Sequence, residues 1–247
     1  MNLAIVGSRC HRALVQPYRL ARDLPADVTV VSGRAEGVDI VAEIAARQTG
    51  RKVIAHPADW RPNGVYDPAA GFKRNALIER DSDECDAFPD GDARGTSHTI
   101  GLFNKAGKPI RVHEPEAPSI LLFTAQIWYA KARLPHAFDI TRGSGGAAGD
   151  PFAPSKNLLD AALPWLKTEP DRAWAWYEPL YQEQARASWR RHRNAWETAL
   201  AKTILIGCCF CAERARCHRR LWVSNMIAAG KATGRAVYDG GEVPRFL

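Results

Sequence analysis

Val28-Thr29-Val30-Val31-Ser32-Gly33-Arg34-Ala35-Glu36-Gly37-Val38-Asp39 decides the fold of the first half of the chain. The run over 28–32 is short, apolar and β-branched, as a strand buried on both faces demands. Gly33 and Gly37 then bracket a turn, and Val38, Val41, Ala42 and Ala45 recur at helical spacing until Gly50 supplies a stop. A strand that passes through a glycine turn into a helix is the repeating element of a parallel sheet. The same alternation continues on either side: strand patterns cover 3–6, 53–56, 85–88 and 109–112, and further helical patterns cover 73–80 and 96–106. The predicted order is β-α-β-α-β-α-β-α-β, an α/β fold built on a Rossmann-like parallel sheet with helices on both faces.

The chain has 247 residues, enough for two domains of ordinary size. Glu114-Pro115-Glu116-Ala117-Pro118 marks the linker, and every tryptophan except Trp60 lies beyond it. The expected division is 1–115 and 118–247. The second domain is read as a smaller, helix-rich α/β unit. It has a strand over 120–124, a Gly/Pro-rich loop over 142–154, helix from 156 to about 201, then strand, cysteine loop, helix and strand over 203–208, 218–229 and 236–238. A formal net charge of +7 favours anionic partners. The sequence shows no leader pattern in residues 1–20 and no apolar run of the roughly 18 residues that a membrane span needs. Cys208, Cys209, Cys211 and Cys217 crowd together, unlike the framework of a secreted disulfide scaffold. A soluble, cytoplasmic protein without membrane contact is expected.

Three loops follow strand ends. Gly7-Ser8-Arg9 closes the first strand, Gly33 to Asp39 follows the second, and Pro89-Asp90-Gly91-Asp92-Ala93-Arg94-Gly95-Thr96 follows the fourth, with Thr96 read as a helix N-cap. In a parallel sheet such loops gather on one rim, where helix N-termini and backbone amides receive anions. Each loop carries an arginine, Arg9, Arg34 or Arg94, suited to phosphate. The rival reading is that the glycines only make tight turns. Trp60 and Tyr66 follow the third strand; Trp60 is expected to cap the core, the rival being an aromatic face for a base.

Gly-Ser-Arg, Ser-Gly-Arg-Ala-Glu-Gly-Val-Asp, Phe72-Lys73-Arg74-Asn75 and the turn ending Gly95-Thr96 together resemble the SLOG superfamily, especially its YspA-like branch, over about residues 1–113. That superfamily includes the Lonely Guy phosphoribohydrolases, a DNA-processing protein that binds single strands, and domains that sense nucleotide-derived signals. The resemblance implies that Gly33, Gly37, Gly91, Gly95 and Thr96 line phosphate and sugar. It also implies that Asp39 holds the loop or a ribose hydroxyl, and that Arg74 and Asn75 reach the ligand from the third helix. The Lonely Guy pattern has a glutamate three residues after its threonine; here Thr99 stands in that place, Asp90 replaces a glycine and the turn is longer. Cleavage of an N-glycosidic bond needs a carboxylate, which leaves Asp39, Glu36 and Glu79 as candidates.

In the second domain three readings of the cysteine loop stay open. The first is buried structural cysteines. The second is a zinc site at Cys208, Cys211, Cys217 and His218, and the third is a reactive Cys217 thiolate at a helix start flanked by Arg214, Arg216, Arg219 and Arg220. The first is preferred, so no metal or cofactor is expected, zinc being the alternative. The cysteine loop, Cys217-His218-Arg219 and Gly240-Gly241-Glu242, with Arg142-Gly143 and 151–155 upstream, resemble a bacterial and phage domain of unknown function that carries a Cys-His-Arg signature, over 118–247. That resemblance nominates Cys217, His218 and Glu242 as catalytic candidates and Arg219 as an anion-binding one. Trp174, Trp176, Tyr177, Tyr181, Trp189 and Trp196 interleave with Arg186, Arg190, Arg191 and Arg193. A single-strand platform would look so, but Trp189, Arg193, Trp196 and Leu200 also fit one amphipathic helix, which is preferred.

These readings predict a protein, expected to form a homo-oligomer, that binds a nucleotide or nucleotide-derived ligand and processes it as a hydrolase or transferase at the N-glycosidic bond or the base. Gly7, Ser8, Arg9, Gly33, Arg34, Gly37, Gly95 and Thr96 would hold phosphate and sugar, with Arg74, Asn75, Gly91 and Arg219 completing the binding set. Asp39, Cys217, His218 and Glu242 are the catalytic candidates, and the space between the domains is an expected place for a ligand. The alternatives are a single-stranded nucleic-acid binder and a non-catalytic module that senses or sequesters a signalling nucleotide.

Overall fold

A computed structural model describes residues 1–91, 93–128, 136–142, 144, 146–211 and 216–245, with the backbone alone at Ala147. Asp92, Gly143 and Arg214 therefore lie outside the described residues. The chain divides into two compact units, Met1–Ser119 and Ile120–Arg245.

In the first unit β1 (Asn2–Gly7), β2 (Thr29–Ser32), β3 (Val53–Ala55), β4 (Glu84–Phe88) and β5 (Ile110–Val112) form one parallel sheet in the order β3-β2-β1-β4-β5. The connecting helices are α1 (Val15–Asp23), α2 (Val38–Gln48), α3 (Ala70–Arg80) and α4 (Arg94–Ala106). The predicted alternation is present. α3 and α4 begin earlier than expected because Gly71 and Gly95 in their first turns hide the helical period. Ala4 and Val6 pack against Ile78 of α3 and Phe103 of α4. Leu3 and Ile5, which alternate to the other face, are fully buried as well. α1 packs on α2 and α3 on α4, and right-handed crossovers put the two pairs on opposite faces. Strand order reverses between β1 and β4, so the loops leaving these two strands diverge and open a crevice at their C-terminal ends.

In the second unit β6 (Ser119–Gln126), β7 (Ala137–Asp139), β8 (Ile204–Cys209) and β9 (Ala236–Glu242) form a sheet in the order β7-β8-β6-β9, with β8 parallel to both β6 and β7. Its helices are α5 (Gly146–Gly149), α6 (Lys156–Thr168), α7 (Pro170–Arg191), α8 (Arg193–Leu200) and α9 (His218–Ala232). The single helix expected over 156–201 is thus three. Glu169, at φ −134° and ψ 63°, ends α6 because Pro170 behind it disfavours helical backbone, and His192 at φ −118° and ψ 39° breaks the next join. The loop over 142–154 contains α5 and is fastened to α7: Tyr181 Oη donates to the Phe152 carbonyl at 2.6 Å and Gln184 Nε2 to the Ala153 carbonyl at 2.7 Å. Ile120, Leu122, Phe152, Trp196, Leu205 and Trp222 belong to one core. Trp222 lies directly on Gly207, where a Cβ would stand 2.4 Å from the indole ring. No described helix is long and apolar enough to cross a membrane.

Candidate functional site

The crevice at the β1/β4 reversal is framed by main chain. A Cβ on Gly7 would lie 2.5 Å from Val38 Cγ2 and 2.6 Å from the Phe88 carbonyl, so the end of β1 accepts only glycine there. Gly37 opens α2 at φ +82°, and its missing Cβ would meet the carbonyl oxygens of Ser8 and Arg9 at 2.6 and 2.7 Å. Side chains then tie the loops together. Ser8 Oγ donates to the Asp90 carbonyl at 3.0 Å and accepts the Asp90 N–H at 2.7 Å. Asp39 Oδ1 accepts the Gly7 N–H at 3.3 Å, and its Oδ2 lies 3.5 Å from Arg74 Nη1. Arg74 donates to the Gly33 carbonyl and, at 2.9 Å, to Asn75 Oδ1. Asn75 Nδ2 in turn donates to the Gly95 carbonyl at 3.0 Å. The end of β1, the loop after β2 and the helices α2, α3 and α4 are joined through Asp39, Arg74 and Asn75.

Between them lies a cavity of about 330 Å³, at the lower end of the roughly 300–1,000 Å³ typical of small-ligand sites. Arg9, Arg74 and Arg94 stand on its wall with Asn75, Gly95 and Thr96, and Trp60 and Phe72 supply aromatic faces. Gly95 and Thr96 occupy the first turn of α4, whose amides have no acceptor within the helix and carry the positive end of its dipole. The carboxylates on the wall are Asp39 and Asp90. Burial pushes Asp39 up to about 6, against the pull of the Arg74 guanidinium and the amides of Ala35, Gly7 and Gly33.

The structure brings Gly7, Ser8, Arg9, Asp39, Arg74, Asn75, Gly95 and Thr96 to this wall. It does not bring Gly33, Arg34, Gly37 or Gly91 there. Gly33 and Gly37 serve the frame, and Gly91 at φ +65° makes a turn. Arg34 faces Glu43, a fully buried carboxylate, at 2.9 Å, and Arg47 shares that partner. Thr96 is the third residue of α4 and not its N-cap, which is Ala93. Trp60 does not cap the core: it is 38% exposed, stacks on Tyr66, and lies 5.9 Å from the Arg9 guanidinium. Glu36 is exposed and Glu79 pairs with Lys108 at 2.8 Å, both off the wall. Phe72 and the Ser8–Asp90 clasp are what sequence reasoning missed; the signal available was that Asp90 directly follows the fourth strand's Phe88-Pro89.

In the second unit Cys217 caps α9, its Sγ accepting the Arg219 N–H at 3.5 Å. His218 is buried beside it, and desolvation holds its imidazole below the usual range. Arg219 pairs with Glu242 at 3.1 Å, and Arg216 pairs with Asp171. Burial of Cys217 weighs against an accessible, reactive thiolate. Hydrogen bonding with the Cys209 and Cys211 sulfurs, then burial, raise its thiol well above the ordinary range. Cys208 also leaves the proposed ligand group, because its Sγ donates to the Ile206 carbonyl at 3.2 Å and burial pushes its thiol up to about 11. The aromatic stretch is largely interior. Tyr177, Tyr181 and Trp196 are buried, Arg193 covers Trp189 at 4.0 Å, and the stripe from Trp189 to Leu200 crosses the break at His192 and so is not one helix.

No family model matches the chain. Over 119 residues it is 38% identical to the Gene 61 protein of Mycobacterium phage D29, an alignment covering 44% of this chain and 93% of that protein.

Proposed function

This chain belongs to the family of the Gene 61 protein of Mycobacterium phage D29, and from the geometry of its first unit we propose that it binds a nucleotide or nucleotide-derived phosphate in the β1/β4 crevice. The observation that carries the reading is the gathering of three guanidiniums, the first turn of α4 and two aromatic faces around one cavity at the point where the strand order reverses. Phosphate sits against Gly95 and Thr96 with Arg9 and Arg94 beside it, and the base lies against Trp60 and Phe72. Asp39 and Asn75 face the sugar. Because none of the six cysteines is paired in a disulfide, the compartment we propose is the reducing cytoplasm.

A second reading, processing at the N-glycosidic bond, is favoured by one observation: a cavity-wall carboxyl whose proton leaves near pH 6 suits general acid–base work. Asp39 also accepts bonds from Gly7, Gly33 and Ala35 and faces Arg74, which favours holding the loops over attacking a substrate.

The test is a thermal-shift and mass-spectrometric survey of nucleoside mono-, di- and triphosphates and short single strands. Stabilisation by a mononucleotide, abolished in Gly95→Asp, is the expected result. Nothing lies within 4 Å of a Cβ at Gly95, so the fold admits aspartate while its charge repels phosphate. Wild-type binding by both Gly95→Asp and Arg9→Ala would remove the proposal. Release of free base by the wild type but not by Asp39→Asn establishes processing, and stabilisation by strands alone transfers the site to nucleic acid.

A further inference from the structure

The sulfurs of Cys209, Cys211 and Cys217 lie within 4.8 Å of one another where β8 ends and α9 begins. Cys209 Sγ is 3.7 Å from Cys211 Sγ, and His218 Nδ1 is 3.8 Å from the sulfurs of both Cys209 and Cys217. We infer that Cys209, Cys211, Cys217 and His218 form a tetrahedral zinc site.

The spacing fits an ion. Zn–S bonds of ~2.3 Å at tetrahedral angles hold sulfurs about 3.8 Å apart, whereas a disulfide needs about 2.05 Å. The orientation of the imidazole is an independent observation. His218 Nε2 lies 2.9 Å from the Ile140 carbonyl oxygen, which can only accept, so Nε2 carries the hydrogen. Nδ1 therefore presents its lone pair to the sulfurs. A ligating histidine anchored through its other nitrogen to a carbonyl is the usual outer support of a metal site. The backbone N–H of Arg219 donates to Cys217 Sγ at 3.5 Å, a second such support. Among the described residues no carboxylate joins the group, and three thiolates with one imidazole select zinc over the hard, oxygen-seeking cations.

Four protein ligands leave no open coordination position, so the ion is structural. It clamps the end of β8 to the start of α9. The site stands apart from the nucleotide reading, which concerns the other unit.

The test is the metal content of the full chain purified under reducing conditions with zinc supplied, measured by plasma mass spectrometry, with cobalt(II) substituted as a spectroscopic probe. One zinc per chain and the visible spectrum of tetrahedral, thiolate-bound cobalt are expected. Cys209→Ser and Cys211→Ser should lose the metal, while Cys208→Ser and Cys10→Ser keep it, and His218→Gln should alter the cobalt bands. Cys211 is only half-buried, so its serine variant tests ligation with little disturbance of packing. Should any variant fail to fold, the wild-type stoichiometry and cobalt spectrum decide the matter alone. A wild-type chain that takes up no stoichiometric zinc, that holds iron in its place, or that yields a Cys209–Cys211 disulfide overturns the inference. So does a Cys208→Ser chain that loses metal as fully as Cys211→Ser.

Discussion

Ser8 and Asp90 clasp each other in both directions: the serine hydroxyl donates to the Asp90 carbonyl and accepts the Asp90 amide. The pair bridges the loops after β1 and β4, the two strands between which the sheet reverses. Ser8→Ala removes both bonds from a buried position. The expected cost is ~1–3 kcal/mol, together with weaker nucleotide binding as the crevice loses its fixed width. Urea unfolding and a titration with nucleoside monophosphate check both. An unchanged midpoint would mean that the clasp contributes nothing.

Asp39 gives the first unit a pH dependence whose sign follows from its burial. Its carboxyl titrates at about 6 in the folded chain, against an ordinary 3.8, so the folded state holds the proton more tightly. The stability it contributes is complete below the ordinary value and is lost as the pH rises through about 6. The shift corresponds to ~3 kcal/mol. Asp39→Asn does not titrate, so its stability relative to wild type should rise by up to ~3 kcal/mol between about pH 4 and pH 7. Denaturant midpoints of both chains across that window test this, and a difference that stays flat with pH contradicts it.

Arg34 and Arg9 should separate stability from binding. Arg34 serves the buried Glu43 and stands off the cavity wall. Arg34→Ala is expected to lower stability by roughly 1–3 kcal/mol and leave nucleotide affinity alone. Arg9 is exposed on the wall, and Arg9→Ala should do the reverse. Melting curves and calorimetric titrations of the two variants give the comparison; a loss of affinity in Arg34→Ala returns that residue to the cradle.

Trp60 should report the base. Trp60→Ala is expected to weaken nucleotide binding by ~1–3 kcal/mol and to change the affinity for inorganic phosphate less, since an aromatic ring offers a base a stacking face and phosphate no hydrogen-bond donor of the kind Arg9 and Arg94 carry. Parallel loss for both ligands would show that Trp60 shapes the whole crevice.

The fold of the first unit was readable because a strand buried on both faces, a glycine turn and a 3.6-residue period each leave a mark in sequence. β7 left none, since three residues, Ala137–Asp139, are too few to display alternation. The break at His192 was hidden because Trp189, Trp196 and Leu200 keep helical phase across it. Arg34 was placed in the cradle because its buried partner Glu43, nine positions away, gives no local signal. The cysteines were different. Alternation along β8 separates Cys208 from Cys209, but the strand ends there, so the placing of Cys211 beside Cys209 rests on the bend beyond it. Which sulfurs meet the histidine still required the position of α9.

Gly37 lets the start of α2 rest on the carbonyls of Ser8 and Arg9, main chain on main chain, and Gly7 lets the Val38 side chain and the Phe88 carbonyl close against the end of β1. A frame of that kind separates architecture from address. Arg9, Trp60 and Phe72 can be exchanged to suit a different base or a different number of phosphates while the cradle beneath keeps its dimensions. The crevice is accordingly a place where new ligand preferences can be written by substitution at three positions, whereas a single methyl group at Gly7 or Gly37 would erase the page.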